Sequence, residues 1–200
     1  MHAAGGEYGG VMKKAFVFLA AILALGTICF KYWEYQFYLS VVPDEFGVYK
    51  ILYRKEEAWG FGPGGNETGI RVYELPEKIY QIIHEQGLEY LNSLPSSKIG
   101  RVEGRYDWRG KYQNWLETPI RVTRHWTDYM SLPDDADYSK EVPSISHYIG
   151  AYGFGIIVDP EIKKLADDAI KSPGSYYAYG RVGFILVIPE KKCVIYIYNG

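Results

Sequence analysis

Cys193 set beside His147 or His125 is one nucleophile–base combination this chain offers. A thiol attacks only as its thiolate, and a nearby imidazole is what generates one near neutral pH. The strand phase opposes that chemistry. Cys193, Ile195 and Ile197 alternate onto one face of a C-terminal strand, which is the position of a small core residue. His84, His125 and His147 show no metal-ligand spacing with one another, and His84 falls on a helix flank beside Tyr80 and Leu88, the setting of a packed histidine. Asp134, Asp135, Asp137 and Glu141 could gather a cation, but they lack the alternating oxygens, mid-loop glycine and distant glutamate of a calcium loop. They read as solvated turn residues.

Two further motifs fail on context. Gly60-x-Gly62-x-x-Gly65 matches the dinucleotide-binding pattern, in which glycines let a turn approach phosphate at the start of a helix. Here a strand follows, and Pro63 lies inside the loop, so the glycines read as turn formers. Asn66-Glu67-Thr68 is a glycosylation sequon on a loop expected to be exposed. Neither motif implies a cofactor, and no metal site is expected.

The remaining chemistry is adhesive. Between residues 96 and 150, Arg101, Arg105, Arg109, Lys111, Arg121 and Arg124 are interleaved with Trp108, Trp115 and Trp126. Rigid rings with guanidinium groups between them can stack on sugars or engage a protein surface. The candidate binding residues are Trp108, Arg109, Trp115, Arg124 and Trp126. The competing reading places arginine stems over the edges of core aromatics. Tyrosine poses the same choice: 20 of the 200 residues are tyrosine, beside 8 Phe and 5 Trp, and they serve either as strand and core residues or as a contact surface.

Where such a surface would work is set at the other end of the chain. Lys13 and Lys14 precede the sixteen-residue apolar run Ala15 to Phe30, the pattern of a membrane-directed segment. Sixteen helical residues span about 24 Å, less than the ~30 Å hydrocarbon core. Lys31 can snorkel, and Tyr32, Trp33, Tyr35, Phe37 and Tyr38 suit the headgroup level, so an anchor helix is expected over 15–38. The alternatives are a cleaved signal, with Ala24-Leu25-Gly26 as the cleavage site, or a buried core helix. The two leading lysines keep residues 1–14 cytoplasmic and place residues 41–200 outside the cytoplasm, in a periplasm if the cell is bacterial. Met12 offers a second start, which would leave residues 1–11 as an extension without pattern.

Setting aside Lys13, Lys14, Lys31, Glu7 and Glu34, the chain carries 19 Lys and Arg against 22 Asp and Glu. Such a balance argues against a general nucleic-acid binder, which gains affinity by releasing counterions to an excess of basic charge. Cys29 and Cys193 cannot easily meet, so no disulfide framework is available.

The elements of the domain follow from pattern. Strands are expected at Val48 to Arg54 and Ile70 to Tyr73, then a helix from Pro76 to Leu94 interrupted at Gly87. Thr118 to Thr123 reads as a short strand and Gly155 to Val158 as a buried one. Asp159-Pro160-Glu161 opens a helix with its apolar stripe on Ile162, Leu165, Ala166, Ala169 and Ile170. Val182 to Ile188 and Cys193 to Tyr198 form a closing hairpin. Together these describe an α+β fold: an N-terminal transmembrane or signal-anchor helix, then one mixed sheet-and-helix domain ending in a β-hairpin. The expected role is a non-enzymatic interaction module of a cell envelope with a protein or glycan partner. The alternatives are an envelope hydrolase with a dispersed acid/base site, or an immunity or assembly factor holding a partner at the membrane.

Overall fold

A computed structural model describes residues 5–59, 66–98, 108–123, 126, 138, 141–151 and 155–199. It is a mixed α+β structure in two compact units, residues 1–38 and 39–200.

The first unit is helical. Helix α1 runs unbroken from Gly5 to Leu39, and the part from Lys13 to Leu39 is long and apolar enough to cross a membrane. At ~1.5 Å per residue those 27 residues reach about 40 Å. The length missing from the apolar run is therefore supplied by the aromatic continuation. Phe16, Phe18, Leu19, Leu23, Leu25 and Ile28 are all more than half exposed. Several polar side chains of the helix find partners within it. Thr27 Oγ1 donates to the Leu23 carbonyl at 2.8 Å, Lys31 Nζ to Glu34 at 2.7 Å, and Tyr38 Oη to Glu34 at 3.0 Å.

The second unit is built on six antiparallel strands: β1 (Ile51–Trp59), β2 (Asn66–Glu74), β3 (Leu116–Glu117), β4 (Tyr176–Tyr179), β5 (Phe184–Ile188) and β6 (Cys193–Asn199). Their order across the sheet is β1-β2-β6-β5-β4-β3. The last strand in sequence is thus a central one, and β5 and β6 are buried along their whole length. That is why FILVI and CVIYIYN are nearly continuous apolar runs: both faces of each strand are covered. One face carries Ile70, Val72, Leu186, Ile195 and Ile197 against Ile145, Ile149, Ala166 and Ile170, from α5 (Ile145–Gly150) and α6 (Pro160–Lys171). The other carries Tyr73, Val187, Val194, Tyr196 and Tyr198 against Ile79, Ile83 and Leu91, from α2 (Glu77–Gln86) and α3 (Leu88–Ser93), with Val41, Val42, Phe46, Tyr112 and Trp115 completing that core. A short helix α4, Pro95–Lys98, follows.

The expected helix over 76–94 is two helices. Gly87 takes φ +51° and its N–H closes on the Ile83 carbonyl, ending α2. A Cβ there would lie 2.8 Å from Tyr176 Oη, so the break is also a close approach. The helix opening at Asp159 is as expected: its Oδ1 accepts from the N–H groups of Glu161 at 2.9 Å and Ile162 at 3.3 Å.

Two expected strands are corrected. Gly155 to Val158 joins no ladder, Ile157 is 89% exposed, and the run is apolar because Ile156 and Val158 pack on the rim of the core. Only Leu116–Glu117 pairs in the next case. Pro119 brings no N–H to a ladder, and the chain turns to bond α6 instead: Thr118 Oγ1 donates to the Ser172 carbonyl at 2.5 Å and Ile120 N–H to the Ile170 carbonyl at 2.8 Å. Strand β4 lies outside the strands expected from pattern. It joins β5 through a turn in which Gly183 has φ +74° and no room for a Cβ, which would fall 2.2 Å from the Ile197 carbonyl.

Candidate functional site

A group of interacting polar side chains lies where β1, β2 and β6 run side by side. Glu56, Gly69 and Tyr198 stand in one row across these strands. Neighbouring strands are ~4.8 Å apart, so the outer two residues are normally out of reach of each other. Gly69 has no side chain, and the Tyr198 ring lies over it; a Cβ at 69 would be 2.6 Å from the phenol oxygen. Tyr198 Oη therefore donates to Glu56 Oε2 at 2.9 Å.

Arg71, two residues along β2, enters this row from the side. Its Nε and Nη2 donate to Glu56 Oε2 at 3.2 and 2.8 Å, and Nη2 also approaches Tyr198 Oη at 3.2 Å. The guanidinium carbon lies 5.1 Å from the Tyr198 ring centre, and Tyr196 stacks on Tyr198 at 5.2 Å. Arg71 is 5% exposed. Burial works against its charge, but the oxygens of Tyr198, Tyr73 and Glu56 more than compensate, and its pKa is raised. Burial pushes the Glu56 carboxyl up, yet hydrogen bonds and charge from Arg71, with Tyr198 and Arg54, hold it below the usual carboxylate range. Burial raises the Tyr73, Tyr196 and Tyr198 phenols well above theirs. Their protons stay on near neutral pH, and the group acts as an ionic clasp joining three strands.

A second polar contact works at longer range. Asp167, on the side of α6 that carries Lys163, pairs with Lys163 and is itself buried. Its Oδ1 accepts from Ile145 N–H at 2.8 Å and its Oδ2 from Ser144 Oγ at 3.3 Å, capping α5. No sequence spacing signals that pairing.

The candidate binding residues separate. Trp115 and Trp126 are 2% and 1% exposed. Trp115 packs on Phe46 and Tyr112 and donates Nε1–H to Ser97 Oγ at 3.0 Å. Trp126 packs on Tyr148 and Phe184 and donates to Tyr179 Oη at 2.7 Å. Such rings have no open face for a ligand, so these two are corrected to core residues; their bulk is what the cores on the two sheet faces needed. Trp108 and Arg109 are half-buried, and Arg124 lies outside the described residues. The tyrosines divide likewise: Tyr73, Tyr112, Tyr148, Tyr177, Tyr196 and Tyr198 are buried, whereas Tyr49 is 66% exposed.

Cys193 is buried, and burial pushes its thiol up to about 12, while His147 is exposed. His84 is exposed too, its ring 5.7 Å from that of Tyr80. His125, Asp134, Asp135, Asp137 and the loop 60–65 lie outside the described residues. Among those described, no three His, Cys, Asp or Glu side chains are placed to hold a metal ion. The sequon's Thr68 is not on an exposed loop. It is 1% exposed, and its hydroxyl lies 3.1 Å from the Tyr198 carbonyl and 3.3 Å from that of Ile149.

The chain matches no protein-family model, no curated protein and no solved structure.

Proposed function

We propose that this chain is a single-pass membrane protein whose α+β domain stands outside the cytoplasm and engages a protein or glycan without catalysing a reaction. The observation that carries the reading is α1, an apolar helix whose large side chains are exposed on all sides over a stretch long enough to span a bilayer. Water does not tolerate such a surface, and lipid does. Lys13 and Lys14 before the apolar run favour an N-terminus on the cytoplasmic side, and Lys31, the single cation in the rest of the helix, is paired with Glu34.

The non-catalytic part rests on how the perturbed groups are employed. Arg71, Glu56 and Tyr198 of the clasp bond to one another, and the thiol is enclosed in apolar surroundings. Contact with a partner is then left to half-buried and exposed positions, Trp108 and Arg109 first. A photo-cross-linker placed at Trp108 or Arg109 in native membranes tests this. A discrete adduct from those positions and none from the enclosed Trp115 supports the reading; equal labelling from all three contradicts it.

A further inference from the structure

We infer that the soluble domain stays unfolded until its closing strand β6 has been made, so that, on the membrane reading above, engagement of the N-terminal helix with the membrane precedes folding. The order of strands carries this. β6 is flanked by β2 and β5, and it is the strand through which the pair β1–β2 joins the group β5-β4-β3. Its side chains serve both cores: Cys193, Ile195 and Ile197 on one face, Val194, Tyr196 and Tyr198 on the other.

Without β6, the first strands are an isolated two-stranded ribbon, which is marginal in water at best. Neither core can close around the missing side chains. The clasp is incomplete as well, because Tyr198 bonds Glu56 across 142 residues of sequence. Helix α5 loses a tether: Asn199 Nδ2 donates to the Tyr148 carbonyl, and Thr68 Oγ1 reaches both the Tyr198 and the Ile149 carbonyls. Contacts this distant in sequence form late, since loop closure must precede any gain from them. Helix α1, whose backbone hydrogen bonds each join residues four apart, has no such dependence. A chain whose helix is complete early and whose domain is complete last remains extended enough to be threaded through a translocation channel.

The test uses full-length chains stalled during synthesis on membranes, with an inert extension, so that the exposed part ends at Lys192 or at Gly200. The expected result is a protease-resistant domain fragment at Gly200 and loss of that fragment at Lys192, with chains of both lengths retained in the alkali-washed membrane pellet. A resistant domain fragment already present at Lys192 overturns the inference. Resistance that depends on residues 193–199 in chains that wash off the membrane leaves the folding order intact and counts against the anchor instead. A second measurement needs no truncation. In pulse-labelled hydrogen exchange during refolding of the whole protein, the amides of Ile70 and Val72 are expected to gain protection together with that of Ile195; protection of β2 well before β6 contradicts the inference.

Discussion

Glu56 and Tyr198 stand two strands apart, yet their oxygens meet at 2.9 Å because the residue between them is Gly69. The glycine serves neither a turn nor a positive φ angle. Its missing side chain is the space in which an edge strand is tied to a central one.

Gly69→Ala tests that space. The Tyr198 ring cannot step aside, because Arg71 and Glu56 hold its hydroxyl and Tyr196 stacks on its face. Overpacking of this kind typically costs about 1–3 kcal/mol. Denaturant unfolding is expected to show a loss in that range, and a smaller one when the same substitution is made in a Tyr198→Ala background.

Glu56→Gln should leave Arg71 buried beside a weaker partner, at a cost of about 2 kcal/mol. The pH dependence has a definite sign. A carboxylate whose folded pKa lies below its unfolded value of ~4.3 contributes stability at pH above that value and loses it as the pH falls through the folded pKa. Melting temperatures measured from pH 7 downward should therefore separate wild type from the variant at neutrality and converge only once the pH has fallen through the lowered folded pKa, beneath the ordinary carboxylate range. A constant gap across that range would show that Glu56 does not act through its charge.

Cys193 should be inert in the native domain, since burial both hides the thiol and pushes it up to about 12. Alkylation at pH 8 followed by peptide mapping is expected to label it only after denaturant is added. Ready labelling in the folded protein would reopen it as a nucleophile.

Sequence and structure agree where the deciding contacts are local. The α6 opening at Asp159-Pro160-Glu161, the break at Gly87 and the C-terminal end of α1 are readable because a cap, a glycine or an apolar run acts within a few residues, whereas the start of α1 at Gly5, ahead of the expected residue 15, is not. The clasp was not readable. Glu56, Arg71 and Tyr198 read as ordinary strand residues until the strand order places them together, and Gly69 looks like a weak point in a strand until the ring above it is seen. The error over Gly155 to Val158 has the same origin, since an apolar run carries no mark of whether a partner strand stands beside it. Trp115 and Trp126 misled because a tryptophan among arginines looks alike in a core and on a surface.

The most direct test of the account is the intact mass of the protein recovered from alkali-washed native membranes. The account predicts retention in the membrane pellet with residues 13–30 still present in the measured mass. A mature chain beginning near Thr27, after Ala24-Leu25-Gly26, and found in the soluble fraction would contradict it.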